Sequence, residues 1–250
     1  LKACAYCGRQ NEAEASHCRE CGTEFSAPAT DVPSSQTADR AVTVIPLTDM
    51  SGLDMGFEEI EGFSRPDWKL IREFLRSEVP KDDLSAVWDY IVVQWLEQLA
   101  TDLGGDSHVY QSHYFYCLSD LGAETTRTLL DYAEYVVETI RSTLADVAWT
   151  GYHGRHVLML FSDADDYYAY ISFFHADGEH ILSAGVFIRK NYAHVALPCV
   201  NTFSAQHTLV HELTYNLLCH LPIPLWLNEG LVVLIERQVT RQSFTIRSEE

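Results

Sequence analysis

Residues 207–236 read HTLVHELTYNLLCHLPIPLWLNEGLVVLIE, and the rest of the chain is best understood outward from them. Leu209, Val210, Leu213, Leu217 and Leu218 recur at three- and four-residue spacing, which predicts a largely buried helix over 204–221. Pro222 and Pro224 end it, because proline has no N–H to donate and drives the residue before it out of the helical region. A second apolar segment follows, opening with Asn228-Glu229-Gly230.

The first helix carries His211-Glu212-Leu213-Thr214-Tyr215, one residue short of H-E-x-x-H. In that motif two histidines four apart share a helix face and grip one zinc, while the Glu between them polarises the metal-bound water. Here Tyr215 stands in the place of the second histidine. A lone His-Glu pair on an apolar helix is ordinarily a hydrogen-bonded core pair. Its combination with Trp226-Leu227-Asn228-Glu229-Gly230 argues for more, since a Glu buried at the opening of an apolar helix is costly unless paired or metal-bound.

The helix pair resembles the gluzincin metallopeptidases, in particular bacterial members whose active helix reads HELTH and is followed by P-x-W-L-x-E-G-L-A-E. This chain has Pro224-Leu225-Trp226-Leu227-Asn228-Glu229-Gly230-Leu231-Val232-Val233. The resemblance is specific over about 204–236 and looser back to about residue 150. It implies that His211 and Glu229 are zinc ligands and Glu212 the general base. Three readings of Tyr215 stand side by side. The site is lost, because two protein ligands hold zinc weakly against the usual three. The phenol ligates as phenolate, with the metal lowering its pKa from about 10. Or His207, one turn before His211 on the same face, completes a displaced site.

At its other end the chain has Cys4-x2-Cys7-x10-Cys18-x2-Cys21. Each Cys-x-x-Cys is a tight knuckle presenting two thiolates, and two knuckles close a tetrahedral structural zinc site. Residues 1–25 resemble the short bacterial zinc ribbons. So small a segment has no core of its own, and metal binding would supply its folding energy. With three basic and four acidic residues it reads as a protein-contact module. Cys117, Cys199 and Cys219 lie in apolar settings and read as buried thiols of a reducing compartment.

The net charge of −19, from 36 acidic against 17 basic residues, argues against nucleic acid and anionic membrane surfaces as partners. No apolar run approaches the roughly 18 residues of a membrane span, and no secretory signal opens the chain, so a cytoplasmic location is expected. The chain starts at Leu1 rather than Met, as a fragment would.

Residues 26–40, SAPATDVPSSQTADR, read as a flexible linker. Residues 41–47 suit a short strand and the Gly- and Glu-rich stretch to residue 64 a loop. Helices are expected over 66–77, 83–103 and 125–147, and strands over 108–118 and 156–161. A further helix is expected over 164–175 with Asp163 as its N-cap. A hairpin of 184–189 with 192–197 turns at Lys190-Asn191. By the family resemblance, the strand nearest the site adds an extended substrate as a further strand. Residues 192–197 are the candidate, with Tyr192 and His194 as candidate substrate-binding residues, although a histidine in such a strand reads first as a surface or core residue. Residues 231–236 continue the second helix and 244–247 suit a strand. Only 21 residues follow Glu229, too few for the family's further helical subdomain, so the domain reads as shortened at its C-terminus.

The expected fold is therefore α+β: a small N-terminal zinc ribbon over 1–25, the linker over 26–40, and a metallopeptidase-like domain over 41–250. That domain combines a helical segment with a mixed β-sheet packed on a zincin-type active helix, its core at 150–238. A complete site would hydrolyse peptide bonds with Zn2+. An incomplete one would bind extended peptides without cleaving them. In a third reading the ribbon is an adaptor for a protein partner.

Overall fold

The computed structural model describes residues 2–3, 10–11, 53–104, 106–148, 154–174, 184–199 and 202–247. Cys4, Cys7, Cys18 and Cys21, the linker 26–40 and the expected strand 41–47 lie outside the described residues. The chain divides into two compact units, Leu1–Arg40 and Ala41–Glu250. In the first, β1 (Lys2–Ala3) pairs antiparallel with β2 (Gln10–Asn11), the hairpin bracketing Cys4 and Cys7 in sequence.

The second unit is mixed α and β. It opens with a hairpin of β3 (Glu58–Ile60) and β4 (Phe63–Arg65) where a loop was expected. The connecting Glu61 and Gly62 both have positive φ, 55° and 81°, the two-residue turn whose twist matches that of paired strands. Glu-Gly is a weak form of that signal, which the surrounding polar residues hide. The hairpin is tied down by Asp102, whose carboxylate accepts the Ser64 amide at 2.5 Å and the Ser64 hydroxyl at 3.0 Å.

Helix α1 (Trp68–Glu78) is N-capped by Asp67, which accepts from the amides of Lys69 and Leu70. Helix α2 (Leu84–Leu103) ends at Gly104 with φ 70°, where a glycine takes the left-handed conformation at no steric cost. The stretch expected as one strand over 108–118 is two, β5 (His108–Gln111) and β6 (Phe115–Ser119), folded back on each other. Helix α3 (Ala123–Leu144) is followed by β7 (His156–Phe161) and α4 (Ala164–Ser172). Asp163 caps α4 through the Asp165 amide. Strands β8 (Val186–Ile188) and β9 (His194–Pro198) pair antiparallel, with Asn191 at φ 65° in their turn. The chain then enters α5 (Thr202–Leu218) and α6 (Leu225–Arg247). Residues 244–247, expected as a strand, belong to α6.

Five strands form one sheet in the order β5-β6-β7-β9-β8. The three inner strands run parallel and the two edges antiparallel. Every residue of β7, HVLMLF, is buried, as a strand covered on both faces requires. On one face Tyr116, Leu118, Val157, Met159 and Ala196 meet α1, α2 and α4 in an aromatic-rich core. On the other, Cys117, Leu158, Leu160, Val195 and Leu197 meet α3, α5 and α6. No helix among the described residues is long and apolar enough to cross a membrane.

Candidate functional site

Helices α5 and α6 form an antiparallel pair joined by the proline-marked segment. Leu209, Val210, Leu213 and Leu217 press one face of α5 into the core beside Ile235 and Val239 of α6. His211, Glu212 and Tyr215 lie off that apolar face, His211 and Tyr215 reaching α6. Two cross-helix contacts follow from this register. His211 Nδ1 lies 3.0 Å from Glu236 Oε1, and the Tyr215 hydroxyl donates to Glu229 Oε1. The His211 and Tyr215 rings sit 5.2 Å apart between centroids.

A carboxylate offers only acceptors, so Nδ1 of His211 carries the proton facing Glu236. Glu236 has no part in the sequence motif. It lies seven residues after Glu229, two helical turns along the same face, and that spacing is the signal that could have found it.

Glu212 reaches the sheet edge, where its carboxylate accepts the backbone N–H of Phe187 in β8. Burial raises its pKa first, and the charge of Glu229 adds to the rise. His211 and the Phe187 amide act the other way without cancelling it. Burial likewise raises the Tyr215 phenol, and its hydrogen bond to Glu229 and the charges of Glu229 and Glu212 push in the same direction. Beside Glu212 along α5, a Cβ on Gly185 would stand 2.4 Å from Thr208 Cγ2. Only a glycine lets the start of β8 approach the helix this closely.

Several expected features change on inspection of their surroundings. Glu229 and its neighbour Gly230 are exposed, so no burial penalty compels Glu229 to bind a metal. His207 is exposed one turn before His211. It does not combine with His211 and Glu229 into a metal-holding set. Among the described residues no three His, Cys, Asp or Glu side chains do.

Tyr192 and His194 do not line the cleft. Alternation along β9 sends Val195 and Leu197 toward α5, and therefore His194 to the opposite face of the sheet. There His194 is 1% exposed. It receives Tyr170 OH at Nε2 (2.8 Å) and donates from Nδ1 to the Tyr192 carbonyl (2.7 Å). Tyr192 is buried against Trp68, Trp88 and Trp95, its hydroxyl donating to the Arg155 carbonyl at 2.6 Å. Both are core residues. The strand expected to add a peptide is also paired on both sides, by β7 and β8. Among the described residues the edge strand beside Glu212 is β8.

A catalytic zinc takes three protein ligands and keeps a fourth position open. His211 Nε2 and Glu229 supply two. The third position holds a phenol that keeps its proton and spends it on Glu229, the reverse of a phenolate ligand. The residues present do not fit a catalytic zinc as they stand. No family model matches the chain, and no curated protein and no solved structure matches it.

Proposed function

We propose that the chain is a homologue of the gluzincin zinc metallopeptidases whose altered HELTY site is a catalytically inactive, peptide-binding cleft. The observation that carries this reading is the hydrogen bond from Tyr215 to Glu229. It joins the residue at the missing-ligand position to the residue at the remaining carboxylate position. The phenol satisfies Glu229 in the role a metal would otherwise fill, and the helix pair stays assembled without one. An extended peptide would pair with β8, an edge strand among the described residues, in the manner of strand addition, next to Glu212. The ribbon over 1–25, with Cys4, Cys7, Cys18 and Cys21 on a structural Zn2+, would tether the cleft to a protein partner. A cytoplasmic setting suits its thiolates.

A second reading keeps residual metal chemistry. Metal-binding histidines commonly donate their other ring N–H to a carboxylate, and the His211–Glu236 pair has that form. Elemental analysis of the whole chain and of Tyr215→His, with a peptide-hydrolysis assay on both, separates the two. One zinc per chain rising to two in Tyr215→His supports the inactive-homologue reading. Two zincs and hydrolysis in the unaltered chain overturn it in favour of an enzyme. One zinc in both chains means that the cleft no longer assembles a metal site, and the metallopeptidase reading survives only as ancestry.

A further inference from the structure

Helix α1 and the β3–β4 hairpin enclose a cavity of about 350 Å³ whose wall includes Arg65, Lys69, Arg72, Glu58, Asp67 and Phe173. Three cations around one cavity are not background in a chain of net charge −19. Arg65 ends β4, while Lys69 and Arg72 lie three apart on α1 and therefore on one face of it. None of the three takes part in an ion pair among the described residues.

The two carboxylates on the wall do not neutralise them. Asp67 Oδ1 is committed to the Lys69 and Leu70 amides, at 2.9 and 3.0 Å, and Glu58 is exposed. Arg65 is packed among aromatic rings, with the Glu61 charge near enough to act on it but forming no ion pair with it among the described residues. Its guanidinium carbon sits 3.8 Å from the Phe173 centroid and 5.2 Å from that of Phe174. Its Nε and Nη2 atoms are buried and have no hydrogen-bond partner among the described residues. Those two N–H groups lie along one edge of the guanidinium, the fork that takes a carboxylate or a phosphoryl group side-on. A buried charged donor without an acceptor is costly, and an anion with paired oxygens is the missing group.

We propose that this cavity is a binding site for a small organic anion, carboxylate or phosphoryl, held by Arg65, Lys69 and Arg72. Its volume falls at the lower end of ligand pockets, roughly 300–1,000 Å³, which leaves room for a body beyond the anionic group. Ile60 and Pro66, also on the wall, offer that body an apolar rest. The site is separate from the α5–α6 cleft and does not depend on the reading given to it.

The test is calorimetric titration of the full chain with inorganic phosphate, pyrophosphate and succinate. Lys69→Gln/Arg72→Gln and Arg65→Lys are titrated alongside, each checked for an unchanged circular dichroism spectrum. Saturable binding of at least one probe is expected, weakened tenfold or more in both variants. Arg65→Lys keeps the charge but loses the fork, so its loss distinguishes bidentate recognition from general attraction. Pyrophosphate without succinate assigns a phosphoryl ligand, and the converse a carboxylate. No saturable binding, or binding unchanged in Lys69→Gln/Arg72→Gln, overturns the proposal. That double variant alters only surface-reaching side chains and decides the matter even where Arg65→Lys does not fold.

Discussion

The Tyr215 hydroxyl donates a hydrogen bond to the Glu229 carboxylate, across the α5–α6 pair and fourteen residues along the chain. This contact joins two positions that the metallopeptidase motif reserves for metal ligands. Its chemistry is that of a structural fastening. With the contact of His211 to Glu236, it makes a polar seam between two helices that also share the apolar packing of Leu213 and Leu217 with Ile235 and Val239.

Removing the fastening should cost little. Tyr215 and Glu229 both reach solvent, and a hydrogen bond there contributes about 1 kcal/mol or less. Tyr215→Phe is therefore expected to lower the urea midpoint slightly while leaving the slope of the transition unchanged. A loss above about 3 kcal/mol would show that the seam holds the helix pair together.

Glu212 gives the site a pH signature. Its carboxyl titrates above the ordinary range in the folded state, chiefly through burial, so the folded chain binds the proton more tightly than the unfolded chain. Stability then falls as pH rises from the unfolded pKa, about 4.3, through the folded one. Glu212→Gln, which stays neutral throughout, should become progressively more stable than the unaltered chain between pH 4 and pH 7. Parallel stability curves across that range would rule out a strained Glu212.

The two buried histidines act at the opposite end. Burial lowers His156 and His194 from 6.5 to about 4, so the unfolded chain takes up these protons first as the pH falls. Their contribution is complete above pH 6.5 and is lost on the way down to about pH 4, on the order of 3 kcal/mol for each. Urea denaturation at pH 7 and pH 5 should show a marked loss at the lower value. For His194 the charge of Arg65 adds to burial in the same direction, and protonating Nε2 would also break the bond it accepts from Tyr170 OH.

The approach of β8 to α5 can be tested by steric rescue. Gly185→Ala puts a methyl 2.4 Å from Thr208 Cγ2 and 3.1 Å from Leu197 Cβ, an overpacking that costs roughly 1–3 kcal/mol. Thr208→Ser removes the nearer methyl and keeps the hydroxyl that donates to the Ser204 carbonyl. The double variant should recover a good part of the loss. Strictly additive losses would show that the strand does not lie against the helix at this point.

Release of the edge strand offers a functional counterpart. Glu212 accepts the Phe187 amide of the edge strand β8, a backbone group of the kind an added peptide strand would use. Glu212→Ala should then bind an extended peptide more tightly than the unaltered chain, by fluorescence anisotropy of a labelled peptide. Unchanged or weaker binding would place the peptide elsewhere or show that it needs the carboxylate.

What the sequence by itself determined was local. Periodic leucines and paired prolines defined α5 and its end, continuous apolarity defined β7, and Asp163 marked the start of α4. The residues HELTY and Asn-Glu-Gly stood out because neighbours on a helix are neighbours in sequence. What only the tertiary structure decided depended on pairing between distant segments. A one-residue alternation placed His194 on the far side of the sheet from α5, and strand order put β8, rather than the strand of 192–197, at the edge. The exposure of Glu229, the partnership of Glu236 with His211 and the Phe187 amide on Glu212 all arise where two elements meet. The physical reason is that propensity and periodicity act over a few residues, whereas burial, edge exposure and cross-helix hydrogen bonds are set by the packing of the whole domain.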